Sequence, residues 1–116
     1  MEIKRAHVGA ALSEIAIHNG TIYLAGQIAA DTSKNIEWQT REVLGHIDRL
    51  LAEAGSDKTR ILSCQVYIAD VNDFEGMKEV WNEWVPAGHA PPRATVAVSF
   101  PNPDRLIEIM VVAATF

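Results

Sequence analysis

Residues 106–114 constrain this chain more than any other stretch. Read as a β-strand, whose successive side chains point to opposite faces, they place Ile107, Ile109, Val111 and Ala113 on one face and Leu106, Glu108, Met110 and Val112 on the other. Apart from Glu108, both faces are apolar. A strand covered by helices on one side alternates apolar with polar residues, so a strand apolar on both sides calls for cover on both. The rest of the chain has to supply one cover, and something else the second.

The preceding sequence is well punctuated. Residues 13–18 and 21–28 flank Asn19-Gly20, a pair that accepts the positive φ angles of a two-residue hairpin turn. Ile36, Val43, Leu44, Ile47, Leu50, Leu51 and Ala54 recur at three- and four-residue spacing before Gly55, which predicts a long amphipathic helix with a C-terminal glycine. Residues 61–69 alternate Leu62, Cys64, Val66 and Ile68 against Ser63, Gln65 and Tyr67, which predicts a strand with one face on the core. Asn72 and Glu75 have capping-box spacing, and Phe74, Met77, Trp81 and Trp84 line one side of a second helix that ends before Pro86. Pro91-Pro92 then opens a strand at 94–100, and Pro101-Asn102-Pro103-Asp104 connects it to 106–114. A short strand at 3–7 completes the order.

Two helices and five or six strands in this order predict an α+β fold with both helices on one face of the sheet. The second cover for the last strand is then another copy of the chain, and a homo-oligomer is expected. The 116 residues suit one domain, 1–116, of a size that buries roughly two-thirds of its unfolded surface without disulfide or structural metal. The lone Cys64 and the scattered His7, His18, His46 and His89 agree, since neither CxxC nor HExxH spacing occurs. No metal or cofactor is expected. A net charge of −5 and a pI near 5.2 argue against a surface that neutralises phosphates. The start of the chain has no apolar stretch of signal or membrane length, so a cytoplasmic protein is expected.

Two residues break their surroundings. Glu108 stands among Leu106, Met110 and Val112, and an ionised carboxylate buried there without a partner costs several kcal/mol. Either it faces water at a sheet edge or it has a partner. Arg93 begins a strand whose face, Arg93, Thr95, Ala97 and Ser99, is small and polar. Such a face can floor a pocket in which the guanidinium offers a planar fork to a carboxylate or phosphate, or Arg93 is a surface residue at a strand end. Cys64, among apolar neighbours, reads as core rather than nucleophile. The histidines have no evident serine or cysteine partner, and Trp81 and Trp84 read as packing residues.

The run Asn19-Gly20-Thr21-Ile22-Tyr23-Leu24-Ala25-Gly26-Gln27-Ile28, the helix with Gln39-Thr40, Val66-Tyr67-Ile68-Ala69-Asp70 followed by Asp73-Phe74, Pro92-Arg93-Ala94-Thr95-Val96-Ala97-Val98 and Ile107-Glu108-Ile109 together resemble the YjgF/RidA family, in order, over nearly the whole chain. Ile17-His18-Asn19-Gly20 and Trp84-Val85-Pro86-Ala87-Gly88-His89-Ala90-Pro91 are most similar to a short-chain subgroup. The resemblance implies a chorismate-mutase-like fold with a mixed sheet, assembled as a homotrimeric barrel with clefts between subunits. It also implies cofactor-free hydrolysis of reactive enamines and imines, such as 2-aminoacrylate, to 2-keto acids and ammonia, an activity like that of 2-iminobutanoate/2-iminopropanoate deaminases.

By the same resemblance, Arg93 grips the substrate carboxylate, Glu108 handles the hydrolytic water, Thr95 falls where backbone groups contact substrate, and Gly26 lines the cleft. Ala25 stands where many relatives have a serine, and Leu12 where many have an aromatic residue, so a hydroxyl and a ring are missing from the implied substrate site. Three other readings remain: a non-catalytic module that binds keto or imino acids, a deaminase for a larger enamine such as 2-aminomuconate, and an endoribonuclease or translation inhibitor, against which the acidic balance argues.

Overall fold

Asn19 and Gly20 both take positive φ, 54° and 74°, the geometry of a type I′ turn whose twist matches that of the strands it joins. That turn pairs β2 (Ser13–His18) with β3 (Thr21–Leu24), and β1 (Lys4–Val8) lies antiparallel on the other side of β2. The computed structural model describes residues 2–116. After β3 come β4 (Gln27–Ile28), α1 (Ile36–Glu53), β5 (Ile61–Ile68), α2 (Phe74–Trp84), β6 (Arg93–Ala97) and β7 (Ile107–Ala114). The sheet order is β1-β2-β3-β7-β5-β6, with β4 also on β7, and the β5–β6 pair is parallel while the others are antiparallel. This is the expected α+β architecture, two helices on a mixed sheet.

Each helix starts and stops for local reasons. The Asn35 side chain accepts the Trp38 N–H at the head of α1. At its tail Gly55 has φ 79°, the Gly55 N–H bonds Ala52 O, and the Ser56 N–H bonds Leu51 O. Those two bonds form a Schellman motif that only a residue free to adopt left-handed geometry closes without strain. The capping box expected at Asn72 and Glu75 does not form. Asp70 instead accepts the Asn72 N–H and starts a 3₁₀ turn, Val71–Asp73, which runs straight into α2 and leaves that helix with no side-chain cap.

The last strand lies in the middle of the sheet, between β3/β4 and β5. Its residues Ile107, Ile109, Val111 and Ala113 are buried with Val43, Leu44, Ile47 and Leu51 of α1 and Met77, Val80 and Trp81 of α2. The opposite face has no such cover. Tyr23, Leu62, Val96 and Met110 are there 51%, 50%, 47% and 39% exposed, an apolar surface beside the half-buried Val112.

Two irregularities change what alternation alone predicts. Residues 21–28 do not form one strand: the pairing with β7 slips by one residue between Tyr23–Val112 and Gln27–Ile109, so a bulge over Leu24, Ala25 and Gly26 separates β3 from β4. A second shift, between Ile61 and Ser63 on β5, sends Ile61 to the core and turns Leu62 outward, away from the face of Cys64, Val66 and Ile68. The strand expected to 100 ends at Ala97, although the Val98 N–H still bonds Ile68 O.

Gln39 is buried in the apolar stripe of α1. Its amide donates to the carbonyls of Lys34 and Asp104 and accepts the Leu106 N–H, each at 3.0 Å, so one side chain anchors the β6–β7 connection to the helix layer. Gln39→Leu leaves three backbone groups without their partner, and a loss of about 3 kcal/mol is expected. Urea unfolding checks this: the midpoint falls with the slope unchanged. A loss below about 0.5 kcal/mol, the range of ordinary surface substitutions, would show that the clamp does not contribute.

Candidate functional site

The bulge at 24–26 and the register of β7 bring Gly26 against Glu108. A Cβ on Gly26 would lie 2.9 Å from the Glu108 carboxyl carbon, closer than such atoms approach, so the absence of a side chain at 26 makes room for the carboxylate at 108. Ala25 precedes it, and its N–H bonds Glu14 O. The β1–β2 turn, closed by Gly9 N–H to Leu12 O, immediately precedes Ser13 and presents Leu12 at 58% exposure near the same end of β2. Glu108 itself is half-buried, shares the uncovered sheet face with Tyr67 and Met110, and forms no ion pair among the described residues.

Arg93 lies elsewhere. It opens β6 opposite Cys64, whose side chain is in the core, so Arg93 and Thr95 point to the helix side of the sheet. The guanidinium carbon stands 5.2 Å from the centre of the Trp81 ring and 6.0 Å from that of Phe74, both on α2. No carboxylate among the described residues forms an ion pair with it. The Thr95 hydroxyl, on the same face of β6, is buried with no hydrogen-bond partner among the described residues. Burial pushes the neighbouring Cys64 thiol up to about 12, against the pull of the Arg93 charge, so Cys64 is a core residue and stays protonated at neutral pH.

The six candidate residues therefore separate into two groups. Leu12, Ala25, Gly26 and Glu108 belong to the β2–β3–β7 side, and Arg93 and Thr95 to the far edge strand. Glu108 pairs with Tyr67 and Arg93 with Cys64 on the two flanks of β5, an odd number of residues apart, so they lie on opposite faces. With three residues along the strand and two strands across, their α-carbons are about 14 Å apart. Two concavities of the helix layer, about 330 Å³ along Arg41, Asp48, Lys58 and Trp84 and about 450 Å³ around Trp38, are lined by none of the six.

Other titratable groups are engaged locally. His7 bonds Glu53 at 2.5 Å and His46 bonds Glu42 at 2.8 Å. The Glu42 carboxylate also accepts the Ala30 and Asp31 N–H groups, and those bonds, led by that from Ala30, hold its pKa below the ordinary value. Among the described residues no cluster of three or more His, Cys, Asp or Glu is placed to hold a metal ion. No helix among them is long and apolar enough to cross a membrane. Phe74 is a neighbour of Arg93 that the sequence alone does not mark. The spacing of Phe74 and Trp81, two helical turns on one stripe, was the available signal, but nothing local said which strand lies beneath it.

Comparison with known proteins agrees with the fold. Residues 3–115 match the family model for endoribonuclease L-PSP. A RutC family protein of Haemophilus ducreyi is 44% identical over 97% of this chain and 96% of its own length. The RutC family protein YoaB of Escherichia coli is 40% identical over 98% and 99%. The crystal structure of NMB1025, a member of the YjgF protein family from Neisseria meningitidis, superposes with a TM-score of 0.97 at 36% identity, covering 100% of this chain and 97% of that one.

Proposed function

This chain belongs to the YjgF/RidA family, and from that membership we propose that it hydrolyses reactive enamines and imines of small 2-amino acids to 2-keto acids and ammonia. The observation that carries the reading is the pair of incomplete half-sites: a guanidinium with no carboxylate partner among the described residues on one sheet face and a carboxylate packed on a glycine on the other. Neither half alone can hold and hydrate an imino acid. The uncovered apolar face around Tyr23, Val96 and Met110 favours a homotrimer in which one protomer's Arg93 meets its neighbour's Glu108.

A 2-imino acid is already electrophilic at C2. Arg93 holds its carboxylate through two parallel N–H···O bonds and so fixes the position of C2. Glu108 takes a proton from water as the oxygen adds to C2, and the proton passes to nitrogen. The hydroxyl of that adduct then gives its proton to the same nitrogen as its C–O bond becomes a carbonyl, and the C–N bond breaks to leave the keto acid and ammonia. Leu12, Ala25, Gly26 and Thr95 line the cleft. The net charge of −5 favours a small anion held by one half-buried cation over a polyanion such as RNA.

The test generates 2-aminoacrylate with a serine dehydratase and follows pyruvate. Wild-type protein speeds its appearance; an unchanged rate would refute the reaction. Gly26→Ala crowds the end of a flexible carboxylate rather than backbone, so the fold is retained while Glu108 is displaced. Turnover is expected to fall about tenfold or more from misplacement alone, with an unaltered melting curve, and wild-type turnover in that variant would detach Glu108 from the chemistry. Ala25 and Leu12, without the hydroxyl and ring of many relatives, favour a second reading in which the cleft only binds keto acids. Binding of 2-oxobutanoate without ammonia release from any imine would establish it.

A further inference from the structure

Building on the proposed role of Arg93, we propose that Phe74 and Trp81 are positioning residues that hold its guanidinium in one orientation while leaving its hydrogen-bond donors free for a carboxylate. Their rings stand 6.0 and 5.2 Å from the guanidinium carbon, within the range of cation–π attraction. Proteins commonly hold an arginine with a carboxylate, which occupies the same fork that a substrate carboxylate needs. An aromatic face attracts the cation through its quadrupole and leaves the N–H edge open. With no competing counter-ion among the described residues, the fork is available to an incoming anion.

The rings are themselves supported. Trp81 is only 5% exposed, and its ring centre lies 5.3 Å from that of Trp84 at an angle of 51°. The Trp84 indole N–H donates to the Asp48 carboxylate of α1 at 3.0 Å, and the Lys58 ammonium bonds Trp84 O at 2.7 Å. Orientation thus passes from α1 through Trp84 and Trp81 to Arg93. Phe74 is shared with the Lys78 ammonium, 5.5 Å from its centre. The spacing of Phe74 and Trp81 places both on one side of α2, the side that faces the Arg93 guanidinium.

The experiment compares full-length wild type with Trp81→Leu, Trp81→Phe and Phe74→Leu, each checked for folding by circular dichroism. Two readouts are taken: calorimetric binding of 2-oxobutanoate, and keto-acid release from 2-aminoacrylate. Trp81→Leu is expected to weaken binding about 5- to 30-fold and Phe74→Leu about 2- to 5-fold, with most of the loss recovered in Trp81→Phe. In turnover the loss falls on KM more than on kcat, because the carboxylate is held alike in ground and transition states. Wild-type affinity in folded Trp81→Leu and Phe74→Leu overturns the proposal, as does an equal loss in Trp81→Leu and Trp81→Phe, which would make packing volume the cause. If Trp81→Leu does not fold, the half-buried Phe74 decides by the same criterion. Wild type that binds 2-oxobutanoate but leaves imine hydrolysis unchanged refutes the reaction and not the positioning role, which the binding series still decides. Wild type that does not bind it overturns the positioning role, while the rate of keto-acid release still decides the reaction.

Discussion

Arg93→Ala is expected to lower kcat/KM for 2-aminoacrylate hydrolysis by about 10²- to 10³-fold, the scale of losing one partner of a buried, hydrogen-bonded charge pair. The guanidinium makes no ion pair among the described residues and rests on aromatic rings, so its removal breaks no internal salt bridge and the fold is retained. Arg93→Lys recovers little. An ammonium is a compact charge that cannot make two parallel bonds to a carboxylate, and it is more strongly hydrated than a guanidinium. The measurement is the initial rate of pyruvate appearance at low substrate, with thermal unfolding as control. Full activity in Arg93→Lys would mean that only charge is needed there, and full activity in Arg93→Ala would remove the residue from the site.

Glu108→Gln is expected to lower kcat by about 10²- to 10⁴-fold, the usual contribution of a general base, while affinity for 2-oxobutanoate stays near that of wild type. The amide keeps the size that Gly26 accommodates and loses the ability to take a proton. A sharper experiment exploits the opposite faces of Arg93 and Glu108. Arg93→Ala and Glu108→Gln subunits, each inactive alone, are unfolded together and refolded as a mixture. If each site takes its arginine from one protomer and its carboxylate from the next, random assembly restores about one quarter of the sites. Activity that stays at the level of either variant would place both residues' roles within a single chain, against the half-site reading.

Much of the architecture was legible in the sequence because its signals are local. The Asn19-Gly20 turn, the stripe of α1 and the Gly55 stop depend on a few neighbouring residues, and all appear where expected. Two of the exceptions have non-local causes. Leu62 turns outward because β5 carries an extra residue opposite Ala113 and Val112 of β7, and residues 21–28 divide because β7 pairs out of step with them. The capping box is a local exception: the Asp70 side chain accepts the Asn72 N–H that Glu75 would have bonded. Gln39 is the intermediate case. A glutamine in an apolar stripe signals a buried task, but its partners Asp104 and Leu106 lie over sixty residues away.

For the candidate site the division is similar. Alternation within 106–114 was enough to mark Glu108 as out of place and to require a second cover for that strand, since side-chain direction along a strand has a fixed period of two. A small polar face was enough to mark Arg93. Whether the two residues share a face depends on the pairing of β6 and β7 with β5, and a slip of one residue in either register reverses the answer. That register is set by contacts between segments far apart in the chain, so only the tertiary structure placed the guanidinium beneath α2 and the carboxylate on the uncovered side.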